Sequence, residues 1–204
     1  GTVSSANVGT GKNVTSVNLA LANGSGSASN YSINSLTAEI TGKPVTISGS
    51  RLYDSTTTAS SSILTITSGV SGESLSLTGS GVLGAASAGT QTITNNNTLA
   101  IADGTGGLAS NYTLSGATIN VTIIPRTLNV TLSREYDGTT SVSGALLTPT
   151  FDSLQGGETL ALSGTGSVSN ANVGSSKAVS LGSIALAAGS GNPNNYTLNS
   201  ATMS

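Results

Sequence analysis

The chain has 204 residues, of which 7% are charged, a net charge of −2, and no cysteine or histidine. The missing residue types exclude disulfides, thiolate zinc sites and histidine general bases, and the charge gives no electrostatic reason to bind nucleic acid or acidic membranes. Apolar residues make up 36%, with five Tyr, one Phe and no Trp, beside 27 Gly. This composition predicts thin aliphatic cores, β-strands and many tight turns.

Export signals and membrane spans are not evident in this sequence. No stretch approaches the roughly 18 consecutive apolar residues that a membrane helix needs, which argues against membrane insertion. The opening residues 1–5 have neither the basic nor the apolar region of a signal peptide. We therefore expect the segment to belong to a longer protein whose export signal lies elsewhere.

Internal repeats determine the predicted organisation. The motif Tyr-Asp-x-Thr-Thr starts at Tyr53 and again at Tyr136, which indicates a period of about 83 residues. The pair Asn-Tyr occurs three times, at Asn30-Tyr31, Asn111-Tyr112 and Asn195-Tyr196. We predict the C-terminal half of a module over 1–43, a complete module over 44–125, and a module lacking its last strand over 126–204.

Strands are predicted wherever apolar and polar residues alternate, because successive side chains of a strand point to opposite faces. In chain order the inward positions are Leu36, Ala38 and Ile40; Leu75 and Leu77; Ile119, Val121 and Ile123; Leu128, Val130 and Leu132; and Leu160 and Leu162. No window of twelve residues has a convincing helical period. The sequence predicts an all-β fold of small antiparallel, immunoglobulin-like β-sandwich modules of about 83 residues, placed end to end.

The Tyr-Asp-Gly motif has a simple structural interpretation as a turn. Asp137 can accept backbone N–H hydrogen bonds, and Gly138 can take the positive φ that other residues disfavour. Tyr136 is expected to pack its ring over the aliphatic core and keep its hydroxyl at a polar edge. In the earlier copy, Tyr53 and Asp54 are followed by serine, so we expect that turn to differ.

The Asn-Tyr-Thr motif is interpreted as a turn that leads into a strand. The asparagine is expected to close the preceding Gly-rich turn, and the tyrosine to anchor the core. Tyr31, Tyr112 and Tyr196 should then be mostly buried in three equivalent environments. The alternative is a tyrosine-lined sugar pocket.

These motifs together resemble the YDG repeat domain of filamentous-haemagglutinin-like exoproteins and other large bacterial surface adhesins. The resemblance rests on four segments and a closing Ile-Ile-Pro-Arg at 123–126. The four segments are Tyr136–Thr140, Gly157–Leu160, Asn172–Gly174 and Asn195–Leu198. The middle copy departs from the pattern at Ser55 and at Ser87-Ala88-Gly89.

The resemblance implies export and a structural function at the cell surface. It implies a stalk or spacer segment of a secreted adhesin, an extracellular filament or a biofilm, with neighbouring repeats or homologous subunits as partners. Direct adhesion to host or matrix glycans is the alternative. No catalytic residue, cofactor or metal ligand is predicted, and we expect no enzyme activity.

Two further chemistries stay open as minor alternatives. Calcium could bind at module junctions, but the eight acidic residues are scattered along the sequence. Lys12 and Lys177 follow Asn-Val-Gly at equivalent positions and could form isopeptide cross-links, although a surface lysine beside a turn is the simpler interpretation.

Overall fold

The computed structural model describes residues 1–15 and 19–204. Within these ranges the regular structure consists of β-strands and single 3-10 turns, with no α-helix. The predicted all-β class is therefore confirmed.

The strands are short, as expected for a chain so rich in glycine and asparagine. The first twelve are β1 (Thr2–Val3), β2 (Gly9–Thr15), β3 (Thr37–Ile40), β4 (Lys43–Leu52), β5 (Thr58–Ser60), β6 (Leu64–Thr67), β7 (Leu75–Thr78), β8 (Ser80–Leu83), β9 (Gly89–Gln91), β10 (Ile93–Asn95), β11 (Ala100–Asp103) and β12 (Tyr112–Ile124). The others are β13 (Arg126–Ser133), β14 (Ser141–Ser143), β15 (Thr148–Phe151), β16 (Leu160–Ser163), β17 (Thr165–Val168), β18 (Lys177–Ser180), β19 (Ala185–Ala188) and β20 (Tyr196–Met203). The 3-10 turns are Ala28–Asn30, Ser61–Ile63, Ala109–Asn111, Gly144–Leu146 and Pro193–Asn195.

Strand pairing follows a similar plan in successive copies. The earliest strands form one sheet of order β1-β2-β3. The middle copy contains three sheets, of orders β6-β4-β12-β9, β10-β8-β5 and β11-β7. The last copy contains two, of orders β14-β17-β18-β20-β13-β15 and β16-β19. In the last copy, a six-stranded sheet is thus accompanied by a separate two-stranded sheet.

One strand pair departs from the predicted antiparallel arrangement. Strands β13 and β20 run parallel, with Arg126 opposite Tyr196 and Leu132 opposite Met203. These two strands lie at the two ends of one copy of the repeat, so a crossover of many residues is available to join them, as a parallel pair requires. The prediction of purely antiparallel pairing is wrong at this pair, and the immunoglobulin-like sandwich stays a prediction.

The predicted alternation is confirmed along β12 and β13. Leu128, Val130 and Leu132 are at most 2% exposed, whereas the residues between them point to solvent. The prediction is wrong at Leu36, which precedes β3 and is 39% exposed. Alternation thus identifies a strand face well when the strand lies inside a complete sheet.

The chain divides into two compact units that do not follow the sequence period. The first unit comprises residues 1–47, 65–79 and 99–119, and the second comprises 48–64, 80–98 and 120–204. The predicted module boundaries at 43 and 125 stay predictions.

The second unit contains two groups of buried apolar side chains. One group joins the six-stranded sheet to Leu162 of the two-stranded sheet, and includes Val130, Val142 and Met203. The other group contains residues from both the middle and the last copy of the repeat. Its members are Tyr53, Ala59, Leu83, Val121, Ile123, Leu128, Leu160 and Tyr196.

Candidate functional site

The Tyr-Asp-Gly turn of the last copy is held by its aspartate. Oδ1 of Asp137 accepts hydrogen bonds from the backbone N–H of Thr139 at 2.9 Å and from its hydroxyl at 2.9 Å. Oδ2 pairs with Arg134 at 2.8 Å, and Gly138 has a φ of 76°. The backbone and side-chain hydrogen bonds of Thr139 hold the pKa of Asp137 below its usual value. The roles predicted for Asp137 and Gly138 in this turn are confirmed.

The equivalent turn at Asp54 has the same structure although serine replaces glycine. The N–H of Thr56 donates to Oδ1 of Asp54 at 2.9 Å, and Arg51 pairs with the same carboxylate. Ser55 takes a φ of 63°, in the left-handed region that glycine favours. The prediction that this turn would differ is wrong, because the aspartate hydrogen bonds impose the turn on a residue that fits it poorly.

A buried cluster of two tyrosines and one glutamate lies in the second unit. The hydroxyls of Tyr53 and Tyr196 donate to the two carboxylate oxygens of Glu158, each at 2.6 Å. The two rings meet edge to face with their centroids 5.3 Å apart, a favourable geometry for aromatic pairs. Tyr53 is 3% exposed and Tyr196 is 5% exposed. One carboxylate therefore ties together residues that are 105 and 38 positions away in sequence.

The cluster alters the acidity of its tyrosines. Burial, the hydrogen bond to Glu158 and the negative charge of that carboxylate raise the pKa of Tyr53 to about 12. Burial and the same carboxylate also raise the pKa of Tyr196. Both shifts have the same physical causes: the phenolate would lose its solvation and would face a like charge.

Two hydrogen bonds extend this cluster along the backbone. The side-chain oxygen of Asn195 accepts from the N–H of Ala88 at 2.8 Å, and Nε of Arg126 donates to the carbonyl of Tyr53 at 3.0 Å. We expected the asparagine to close its own Gly-rich turn, but its side-chain oxygen bonds instead to a turn 107 residues earlier. A turn formed by Ser87-Ala88-Gly89, at the Asn-Val-Gly position, supplies the N–H.

The first unit repeats the same contacts with equivalent residues. The hydroxyl of Tyr112 donates to Glu73, and the side-chain oxygen of Asn111 accepts from the N–H of Val8 at 2.9 Å. Nδ2 of Asn111 donates to Oδ1 of Asn7 at 3.1 Å. The hydrogen bond to Glu73 and burial raise the pKa of Tyr112. In both units, the asparagine thus accepts from the turn of another copy, and the tyrosine that follows it donates to the glutamate of its own copy.

A scan against family models matches the YDG domain at residues 37–121 and again at 122–203. The chain belongs to the YDG domain family. Searches of curated proteins and of solved structures returned no match. The two matched ranges place Tyr53 and Ala88 in the first YDG repeat, and Glu158, Asn195 and Tyr196 in the second. The buried cluster of the second unit is therefore a junction between successive YDG repeats.

Two tyrosines of the recurring motifs are exposed, contrary to expectation. Tyr31 is 71% exposed and Tyr136 is 67% exposed. Residues 1–43 contain one acidic residue, Glu39, and no Gly-Glu-x-Leu segment, so Tyr31 lacks the carboxylate that holds Tyr112 and Tyr196. Tyr136 occupies in the second YDG repeat the position that Tyr53 has in the first, but no described residue lies beside it as Glu158 lies beside Tyr53.

The glutamates and the Asn-Val-Gly backbone were not among the predicted site residues. Their signal was present in the sequence, because Gly-Glu-x-Leu occurs at both Glu73 and Glu158. An acidic residue that recurs with a tyrosine once per period could have identified the pair.

Acidic clusters and long apolar helices are both absent from the described residues. Among residues 1–15 and 19–204, no three His, Cys, Asp or Glu side chains lie close enough together to hold a metal ion. In the same ranges no helix is long and apolar enough to cross a membrane.

Proposed function

We propose that this chain is a structural repeat segment, a stalk or spacer, of a secreted bacterial surface adhesin or extracellular filament. The observation that carries the proposal is the junction in the second unit. There, Tyr53, Leu83 and Val121 of the first YDG repeat share one buried group with Leu160 and Tyr196 of the second. Repeats that share a core resist bending better than repeats joined by a flexible linker.

The connection between the two repeats supports the same function. Strand β12 ends at Ile124 and β13 begins at Arg126, so Pro125 is the whole link. Proline fixes its own φ and restricts the residue before it. A one-residue proline link and a shared core together suit a segment that transmits force or maintains distance.

The proposed location is outside the cell, at the bacterial surface or beyond it. Support comes from the resemblance of the repeats to those of exported adhesins and from a composition low in charge. Each repeat is proposed to be an immunoglobulin-like β-sandwich, since Leu162 of a two-stranded sheet packs against the buried face of a six-stranded sheet. The proposal assigns the chain no catalytic step.

The test uses the parent protein on the cells that make it. An epitope tag at the exposed Asn96 should be reached by antibody on intact cells. Deleting one YDG repeat, residues 122–203, should bring the distal end of the protein closer to the cell surface in electron micrographs while its adhesion to the receptor is retained. Labelling that requires permeabilised cells, or a deletion that leaves the reach unchanged, would contradict the proposal.

Direct binding is the second candidate function, and the exposure of Tyr31 favours it. The ring lies beside Leu19, Leu21 and Ile33, which are 43–48% exposed. Aromatic rings beside apolar side chains are a common surface for stacking sugars. A glycan or matrix-protein array probed with the chain decides between the two functions. Binding that is lost in Tyr31→Ala and kept in Tyr136→Ala would support the direct binder, whereas no binding on the array supports the spacer.

A further inference from the structure

One surface of the second YDG repeat is exposed, whereas the equivalent surface of the first repeat is buried against the repeat that follows it. We define the trailing surface of a repeat as its Tyr-Asp tyrosine and its Asn-Val-Gly turn. In the first repeat these are Tyr53, which is 3% exposed, and a turn in which Ala88 is half-buried. In the second repeat they are Tyr136, which is 67% exposed, and Val173, which is 86% exposed. Tyr136 and Val173 line the same cleft, and apolar side chains that are exposed side by side are characteristic of interaction sites.

The covered surfaces show what kind of group belongs there. We define the leading end of a repeat as the glutamate of Gly-Glu-x-Leu together with the Asn-Tyr pair. In the second unit the leading end is Glu158, Asn195 and Tyr196; Glu158 accepts from Tyr53 and Asn195 accepts from Ala88. In the first unit Asn111 makes the same bond to Val8 and a second bond to Asn7.

We propose that the trailing surface formed by Tyr136 and Val173 binds the leading end of a further complete YDG repeat joined in tandem. In this junction the N–H of Val173 donates to the side-chain oxygen of the incoming asparagine, as Val8 and Ala88 do in the structure. The hydroxyl of Tyr136 donates to the incoming glutamate, as Tyr53 does. The inference rests on the proposed structural role and names the partner that continues the array.

The turn that carries Val173 is held by a lysine, as the engaged turn of the first unit is. Nζ of Lys177 donates to the side-chain oxygen of Asn170 at 2.9 Å and to the carbonyl of Asn172. Lys12 makes the equivalent tie to Ser5 at 3.0 Å beside the turn that contains Val8, which is engaged by Asn111. A preformed turn lowers the entropy lost on binding. Lys177 thus contacts oxygen atoms of the turn and does not use the N–H of Val173.

A second copy of this chain does not supply the proposed partner through its first residues. Residues 1–43 contain Asn30 and Tyr31, but they have no Gly-Glu-x-Leu segment to receive the hydroxyl of Tyr136. The asparagine alone would leave the buried tyrosine hydroxyl without an acceptor, which is costly. The chemistry therefore favours a complete repeat.

The experiment appends a copy of residues 121–204 directly after Ser204, which occupies the position that Asn120 has in the first repeat. Amide hydrogen exchange at Val173 and hydroxyl-radical labelling of Tyr136 report on the surface. In the extended chain, exchange at Val173 should slow about fivefold or more, since a net hydrogen bond is worth about 1 kcal/mol, and labelling of Tyr136 should fall. Replacing the appended asparagine that corresponds to Asn195 by alanine should restore fast exchange at Val173.

Two outcomes would overturn the inference. The first is an appended repeat that is folded, with slow exchange at its copies of Leu128 and Val130, while Val173 and Tyr136 stay as exposed as in the 204-residue chain. The second is protection of Val173 that appears on concentrating the 204-residue chain alone, which would make the partner a second copy. Neither outcome concerns whether the parent protein lies at the cell surface. Failure of this inference can therefore be distinguished from failure of the proposed function.

Discussion

The hydroxyl of Tyr196 lies 2.6 Å from the carboxylate of Glu158, and both residues belong to the second YDG repeat. The other oxygen of the same carboxylate receives Tyr53, which comes from the first repeat. Tyr112 and Glu73 form the equivalent pair within the first repeat. Each tyrosine–glutamate pair lies at the leading end of its repeat. The tyrosine holds the carboxylate in place to accept a hydrogen bond from the preceding repeat.

Neutralising Glu158 should weaken the second unit. Glu158→Gln keeps the shape of the side chain but removes the charge that strengthens two hydrogen bonds. We expect a loss of about 1–3 kcal/mol in the free energy of unfolding, measured by urea titration. Glu135→Gln, at an exposed glutamate of the same unit, is the matched control and should change the stability by less than about 0.5 kcal/mol. Equal losses in the two variants would show that the carboxylate has no special role at the junction.

Stability should fall at high pH because of the buried tyrosines. The pKa of Tyr53 is raised to about 12 in the folded protein, against about 10 in an unfolded chain. The folded state therefore holds the phenolic proton more tightly, and this contribution to stability is complete below pH 10 and is lost as the pH rises towards 12. The urea midpoint should drop across that window, and Tyr53→Phe should make the drop shallower. Tyr136→Phe is the control at an exposed ring; a drop that it changes as much as Tyr53→Phe does would contradict the assignment.

A charge at Val130 should unfold the second repeat. Val130 is 2% exposed in the middle of β13, so an aspartate there would be buried without a partner. Val130→Asp should cost more than about 4 kcal/mol, which is large for a single substitution. Thr131→Asp places the same charge on the solvent face of the same strand and should cost less than about 1 kcal/mol. Thermal unfolding followed by circular dichroism compares the two, and similar melting temperatures would contradict the strand register.

Glycine at position 55 should stabilise the protein. Ser55 has a φ of 63° in a turn whose counterpart uses Gly138, and a non-glycine residue pays steric strain there. Relief of that strain exceeds the entropy that glycine adds to the unfolded chain, so Ser55→Gly should gain about 0.5–1 kcal/mol. Gly138→Ala is the reverse experiment and should lose a similar amount. A loss of stability in Ser55→Gly would show that the serine contributes a contact worth more than the strain.

The sequence alone predicted the local features of the fold and part of the site. The alternation in β13 predicted its buried face, because burial on one side of a strand leaves a period of two. The Asp137 turn was predictable because its hydrogen bonds lie within three residues. These features depend on neighbours in the chain and so leave a local pattern.

The junction was not predictable in the same way, for a physical reason. A repeat period reports that Tyr53 and Tyr136 are equivalent in sequence, but not whether a ring packs on its own repeat or on the next one. Burial of Tyr53 depends on Glu158, 105 residues away, and the exposed Tyr136 has the same local sequence with a different neighbour. The parallel pairing of β13 with β20 likewise depends on a crossover that no local pattern encodes.

The most direct test of the central claim measures whether the junction holds two YDG repeats in one fixed arrangement. The chain has no cysteine, so Asn96→Cys in the first repeat and Ser180→Cys in the second can be spin-labelled selectively. Both positions are exposed and lie in the second unit. Double electron–electron resonance should give a single narrow distance distribution, which broadens when Glu158→Ala and Asn195→Ala are added together. A broad distribution in the labelled protein without those two substitutions would show that the repeats move independently, and would contradict the proposed role as a stiff spacer.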